Sequence, residues 1–303
     1  MTNEHDTILW SPLTPQHADD LAALYNQCFP VIKGKSFYDD FPVWNPSVDV
    51  PQRVQIGGWF DGRLVSSASL KNTTTICNPV TLKVGILGGV VTHPDYRGQG
   101  FGTKCIQKIL EISDGAKNDV TVLWGSEEKL YSKFGFEYGG MQLRFLIQNL
   151  KKIKTDLSNF YEIKTGYNQE LYHFRKSNKL YGVESDVLDE IWFSKHINTE
   201  WYVVYDTELK IKAYAAIGRG IDLPNWIHEW GGSQDALYLL LSKLTEINPS
   251  LEMIFHFKHQ KQYEFFPDSS LCVLDPLAMF RWRTSDLKKQ YENQIWFWGL
   301  ESA

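Results

Sequence analysis

The 303-residue sequence has no run of lysine and arginine longer than a few residues, and its formal net charge is -5. A phosphate backbone would find little cationic surface to hold it, so no nucleic-acid partner is expected. No apolar stretch approaches the roughly 18 residues that a bilayer-spanning helix requires, so no membrane partner is expected either. The first ten residues carry acidic groups and no apolar run ahead of a small-residue cleavage site, which reads as no secretory leader and a cytoplasmic location. Only four cysteines occur, Cys28, Cys77, Cys105 and Cys272, and none forms a Cys-x-x-Cys pair. Reduced structural thiols fit this better than disulfides or a zinc site. His256 and His259 lie close together without a third ligand at suitable spacing, so no metal is expected.

What is present is an ordinary globular composition, 43% hydrophobic and 22% charged, which predicts a chain folded throughout. The length suits two domains of about 150 residues each. In the first half, residues 8–13 read as an edge strand and 15–29 as a helix with Leu21, Leu24, Tyr25 and Cys28 on one face. Residues 53–60 and 63–73 are β-rich runs joined by Asp61-Gly62, a tight-turn dipeptide, and 81–91 is a nearly all-apolar strand, giving an antiparallel meander. From 101 to 113 the spacing changes: Phe101, Cys105, Ile106, Ile109, Leu110 and Ile112 form a helical stripe. A buried strand at 120–124, a short helix at 127–134 closed by Gly135, and strands at 136–138 and 141–147 complete the expected sheet.

The second half repeats the plan. Strands at 201–205 and 209–218 mirror the first hairpin, and 226–230 mirrors the central strand. A helix over 234–247 and a strand over 251–257 follow, and 278–283 matches 141–147. The polar, lysine-containing segment 149–158 is the expected link, dividing the chain into 1–149 and 150–303. The fold class is α/β, an α+β mixed arrangement in which each half is a mostly antiparallel twisted sheet flanked by helices.

Chemistry concentrates in Val90-Val91-Thr92-His93-Pro94-Asp95-Tyr96-Arg97-Gly98-Gln99-Gly100-Phe101-Gly102, which leaves a buried strand, passes a glycine-rich turn and enters an amphipathic helix. Free backbone N–H groups at a helix start, unobstructed at Gly98, Gly100 and Gly102 and backed by the helix dipole, make an anion cradle fit for a diphosphate. Neither a Rossmann nor a P-loop reading suits, because the preceding strand belongs to an antiparallel meander and no Lys-Ser or Lys-Thr pair ends the loop. Arg97-x-x-Gly100-x-Gly102 after such a strand resembles the signature of the GNAT (Gcn5-related) N-acetyltransferases. Tyr131-Ser132-Lys133-Phe134-Gly135-Phe136 is similar to a second family motif.

That resemblance implies acetyl-CoA as co-substrate, with Arg97, Gly98, Gln99, Gly100, Phe101 and Gly102 around its diphosphate and Val90 and Thr92 pairing with its pantetheine arm. It also implies that Tyr131 protonates the departing thiolate. The acceptor would be a primary amine on a small molecule or peptide, and the assembly a monomer or homodimer. Many family members carry a glutamate on the central strand, but residues 83–91 contain no carboxylate, so the base is open. Glu127 and Glu128 are candidates, against the reading that they are solvated acids at a helix start. In the second half, Trp230-Gly231-Gly232-Ser233-Gln234-Asp235 lacks the arginine and puts an acid where phosphate would lie. It reads as a degenerate tandem copy whose Trp226, His228 and Glu229 wall the acceptor pocket or belong to the core. The competing functions are a CoA-binding sensor without chemistry and an acyltransferase using another donor, aminoacyl-tRNA included.

Overall fold

In the computed structural model, which describes residues 8–77, 79–153, 161–178, 182–183, 194–260 and 262–301, the apolar periodicities of the first half resolve into the expected elements. Strand β1 (Leu9–Pro12) leads to helix α1 (Ala18–Cys28), which buries Leu21, Leu24 and Tyr25. The single-turn helix α2 (Phe37–Asp40) starts at Ser36, whose hydroxyl accepts from the Tyr38 N–H. Strands β2 (Arg53–Phe60), β3 (Arg63–Cys77) and β4 (Val80–Thr92) form the antiparallel meander. Asp61 and Gly62 both take positive φ at the first turn, the twist that a two-residue hairpin requires. Helix α3 (Phe101–Gly115) then lays Cys105, Ile106, Ile109 and Leu110 on Ile56, Ala68, Leu70 and Leu87 of the meander and returns to β5 (Val120–Leu123), parallel to β4. Helix α4 (Glu128–Tyr131) and strands β6 (Glu137–Gly139) and β7 (Gln142–Leu146) follow.

The second half runs β8 (Tyr161–Thr165), α5 (Gln169–Asn178), β9 (Gly182–Val183), β10 (Glu200–Asp206), β11 (Ile211–Ile217) and β12 (Trp226–Gly232). It continues with α6 (Gln234–Ile247), β13 (Glu252–Phe255), β14 (Val273–Asp275) and β15 (Ala278–Trp282). The link expected over 149–158 lies outside the described residues from 154 onward.

The sheets correct one expectation. Their strand orders are β1-β2-β3-β4-β5-β15-β6, with β9 also beside β3, and β8-β10-β11-β12-β13-β7-β14. The two paths match strand for strand, but the sixth strand of each comes from the other half. Residues 141–147 therefore do not complete the first sheet; β7 pairs with β13 and β14, while β15 fills the gap between β5 and β6. The reason lies in packing. Phe145 on β7 meets Phe255 and Phe266 of the second half at 5.6 and 5.7 Å, whereas Met279 on β15 sits in the core under α3. The two crossovers touch where Leu277 N–H donates to Gly139 O at 3.0 Å. Alternation along a strand records that one face is buried, but not which sheet buries it.

The exchange predicts that a fragment of residues 1–150, lacking β15 and exposing the edge of β5, gives no cooperative thermal unfolding by circular dichroism. Co-expression with residues 151–303 should restore the transition. A full-chain-like melt from the isolated fragment would contradict this dependence.

Candidate active site

Strands β4 and β5 pair in parallel only at Val84–Val120, Gly85–Thr121 and Ile86–Val122. Beyond that point they part. On its other side β4 carries a bulge: Ser69 opposes Gly88 and Ser67 opposes Val91, so Gly89 and Val90 stand against one residue of β3. Gly89 is left-handed, φ 56°, and a Cβ there would overlap the Tyr25 hydroxyl, so the bulge needs glycine. The Gly88-Gly89 pair inside an apolar strand is the sequence signal for this kink.

Between the parted strands lies a cavity of about 410 Å³. Leu87 to Val90 of β4 and Leu123 to Gly125 after β5 form two walls. Phe29 and Pro30 after α1, together with Phe37, Asp40 and Phe41 around α2, form a third. Ser126, Glu127 and Tyr131 close one side, and Arg219, Ile221 and Asp222, after β11 of the second half, close the other.

The glycine loop stands at the end of β4. Gly98 and Gly100 have φ of 79° and 81°, are exposed, and would meet nothing within 4 Å if given a Cβ. Gly100 begins α3 with no side-chain cap, and the first turn of α3 carries no acid, so its first N–H groups and the positive end of the helix dipole face open space. At Gly102 a Cβ would stand 2.9 Å from Thr92 Oγ1, so glycine lets the helix approach the strand. Arg97 is exposed, and its Nε donates to Thr92 O at 3.3 Å, tying the loop to the strand end. Gln99 is exposed, whereas Phe101 turns its ring into the core against Phe60 and Tyr96, leaving only its backbone for a ligand. His93 is buried and accepts from the Asp95 N–H through Nδ1, a loop-shaping contact.

Tyr131 is 8% exposed and lines the cavity. Burial, with the Glu127 carboxylate adding to it, pushes its hydroxyl up to about 12, so the phenol keeps its proton throughout the neutral range. Glu127, at the start of α4, is exposed at the cavity wall.

The three expected acceptor residues sit elsewhere. Trp226, His228 and Glu229 occupy β12 and are not among the lining residues of the cavity. Arg144 lies over the Trp226 ring at 5.8 Å. Glu229, fully buried, pairs with Arg175 and accepts from the Tyr214 hydroxyl at 3.2 Å; Arg175 also reaches Glu301 at 3.2 Å. His228 is fully buried and hydrogen-bonds the Gly218 carbonyl through Nε2 at 2.9 Å. Asp40, Arg219 and Asp222 took no part in the sequence reading. The signal available for Asp40 was an acid set among Phe37, Tyr38 and Phe41.

In the second copy the corresponding opening is closed. Strand β12 pairs with β13 only at Trp226–Glu252 and Ile227–Met253. Past that point Trp230 is buried, donates through Nε1 to Ile254 O at 2.8 Å, and packs against His259, Phe266 and Trp298. At the start of α6, Gly232 O accepts from the Tyr263 hydroxyl and the Gln234 side chain accepts from the Glu264 N–H, with Asp235 in the first turn. The Trp230 ring fills the space that is open in the first copy. His256 and His259 are also packed among aromatic rings. Among the described residues no group of three or more His, Cys, Asp or Glu could hold a metal ion, and no helix is long and apolar enough to cross a membrane.

Residues 10–139 match the family model of the acetyltransferase (GNAT) domain. The first half of this chain is a GNAT domain. No curated protein matches the chain in sequence. Among solved structures, the chain is similar to a conserved protein of unknown function from Enterococcus faecalis, at 15% identity over 93% of this chain and 74% of that one, TM-score 0.65. It is also similar to a GCN5-related N-acetyltransferase from Kribbella flavida, at 15% identity over 93% and 72%, TM-score 0.62. A GCN5-related N-acetyltransferase from Anabaena variabilis aligns at 14% identity over 90% and 72%, TM-score 0.62. At these identities the likeness is one of fold, and it extends over both halves of the chain. The GNAT domain carries the open glycine loop, and the second copy carries the plugged one.

The packed histidines predict acid sensitivity. Burial holds His228 and His256 down to about 4 and His259 down to about 3, and His196 is depressed as well, against roughly 6.5 in an unfolded chain. Between those values the unfolded chain binds more protons than the native one. Stability is therefore full above about pH 6.5 and falls as pH drops toward 4, by up to about 1.4 kcal/mol per pH unit for each histidine. Urea midpoints should hold down to about pH 6.5 and decline from there to about pH 5; a flat profile would mean that these imidazoles accept protons in place.

Proposed function

We propose that this chain moves an acetyl group from acetyl-CoA to a primary amine of a small molecule or peptide by direct attack on the thioester. The observation that carries the reading is the parting of β4 from β5 beside an uncapped, acid-free helix start. An anionic diphosphate finds unpaired N–H groups at Gly98 to Gly102, with Arg97 beside them. The opened edge of β4 at Val90 and Thr92 offers backbone groups that an extended amide-bearing arm can pair with, as an added strand does. The cavity beyond that edge would receive the thioester and the amine. Tyr131, protonated at neutral pH and facing this cavity, is suited to give its proton to the leaving sulfur. Exposed Glu127 on the cavity wall favours approach of a cationic amine. Residues 150–303 act as the wall of the acceptor side through Arg219, Ile221 and Asp222 rather than as a second reaction centre.

Two measurements test the reading. Gly100→Val forces a branched residue into left-handed backbone at about 1–2 kcal/mol and crowds the cradle, so CoA affinity by titration calorimetry should fall about tenfold or more. Equal heats from the variant and the parent would remove the loop from the site. Tyr131→Phe should lower kcat about a hundredfold while CoA affinity stays nearly unchanged, and an unaltered rate would remove the phenol from the reaction. A binding module without chemistry would bind CoA and release no thiol with any amine.

A further inference from the structure

Of the three carboxylates that line the cavity, Glu127 and Asp222 are exposed and Asp40 is buried. Asp222 is ion-paired with Arg219. Asp40 is held differently. Asn198 Nδ2 donates to its Oδ1 at 2.5 Å, and the nearby Ile221 N–H favours its ionised form. The backbone at Gly220 lies so close that a Cβ there would overlap the carboxylate. Both groups are neutral. The nearby Arg219 guanidinium acts on Asp40 through space, with Nη2 directed to Asp222, Nη1 to the Gly299 carbonyl, and Cζ 4.5 Å from the centre of the Phe41 ring. Among the described residues no cation stands within ion-pair distance of Asp40. A buried carboxylate opening on a cavity, oriented by neutral donors alone, is an incomplete charge pair that a ligand ammonium would complete.

We propose that Asp40 is the base of the acetyl transfer, drawing the acceptor ammonium into the cavity and removing a proton from its nitrogen. The inference rests on the acetyl-transfer reading above and supplies the base that residues 83–91 lack. One N–H bond breaks with its electron pair left on nitrogen, and the proton goes to an Asp40 oxygen. The nitrogen pair then forms the C–N bond, the C–S bond breaks with its pair on sulfur, and the Tyr131 proton goes to sulfur. The second proton lost by nitrogen replaces the one that Tyr131 gave, and the proton on Asp40 leaves to water. Burial raises the Asp40 carboxyl above the ordinary carboxylate range, against the lowering effect of Asn198, Arg219 and the Ile221 N–H, which makes it a better proton acceptor than an exposed acid. The charged and titratable groups around it are Asp39 on its own helix, His196, Arg219 and Asp222 from the second half, and Glu127 and Tyr131 across the cavity. The neighbouring walls, Phe29, Phe37, Phe41 and Trp124, suit an amine with an apolar body.

The test uses the full chain, acetyl-CoA, and a panel of primary amines that includes 2-phenylethylamine and 1,4-diaminobutane, with thiol release recorded against pH. Asp40→Asn should lower kcat/KM about a hundredfold or more at neutral pH, with CoA affinity retained, and recover as pH rises and free amine enters already deprotonated. Asn198→Ala removes a bond that favours the carboxylate, so the acidic limb of kcat/KM should move to higher pH with its plateau retained. A role in tethering the two halves alone would lower the thermal midpoint and leave that limb in place. Should Asp40→Asn not fold, the Asn198→Ala limb decides. Parental rates from Asp40→Asn, or an unmoved limb in Asn198→Ala, overturn the assignment of Asp40 and leave the acetyl-transfer reading standing. No thiol release from the parent with any amine, despite heat with CoA, overturns both.

Discussion

The site depends on two strands that stop pairing. Parallel β4 and β5 share a register through Ile86 and Val122 and then separate, because the Gly89 bulge turns β4 while β5 ends in the segment leading to Tyr131. Backbone groups released from a ladder must find partners, and in a protein interior that requirement is costly to leave unmet. Here the opening lies beside a cavity and the bare start of α3, so groups that would be a liability in a closed sheet face open space. Tyr25 of α1 packs against the bulge, its hydroxyl occupying the space that a side chain at 89 would take.

The second copy shows what happens when the same parting is filled. Trp230 satisfies its indole N–H on Ile254 O within the separated strands, and the C-terminal Trp298 packs against it. The Tyr263 hydroxyl and the Glu264 N–H donate to Gly232 O and the Gln234 side chain at the start of α6. Two repeats with one strand order therefore differ in open volume, because aromatic rings fill one opening and not the other. The plugged copy still contributes to the first, since the segment after β11 supplies Arg219, Ile221 and Asp222 to the cavity and Asn198 holds Asp40. Reciprocal exchange of β7 and β15 fixes the halves to one another, which keeps a wall from one half in register with a site in the other.

Much of the fold was legible because its signals are local. The stripe from Phe101 to Leu110 recorded the buried face of α3, Asp61-Gly62 recorded a hairpin, and the spacing of Gly98, Gly100 and Gly102 recorded a left-handed turn into an uncapped helix start. Tyr131, singled out by a short motif, lines the cavity. Trp226, His228 and Glu229 show the limit of the same reasoning. A cluster of polar and aromatic residues on a central strand looks alike whether it faces a cleft or, as with Glu229 and Arg175, neutralises itself within a core.

By itself the sequence determined the order of the main first-half elements, the repeat, the buried stripe of each long helix and the glycine-rich start of α3, since each of these follows from periodicity or backbone permission within a few neighbouring residues. Tertiary structure alone decided which sheet receives β7 and β15, which of the two openings remains empty, and that Asp40 meets Asn198 across 158 positions of chain. Those outcomes depend on how side chains distant in sequence fill shared volume, and no local pattern encodes the identity of a partner that only the closed fold brings near.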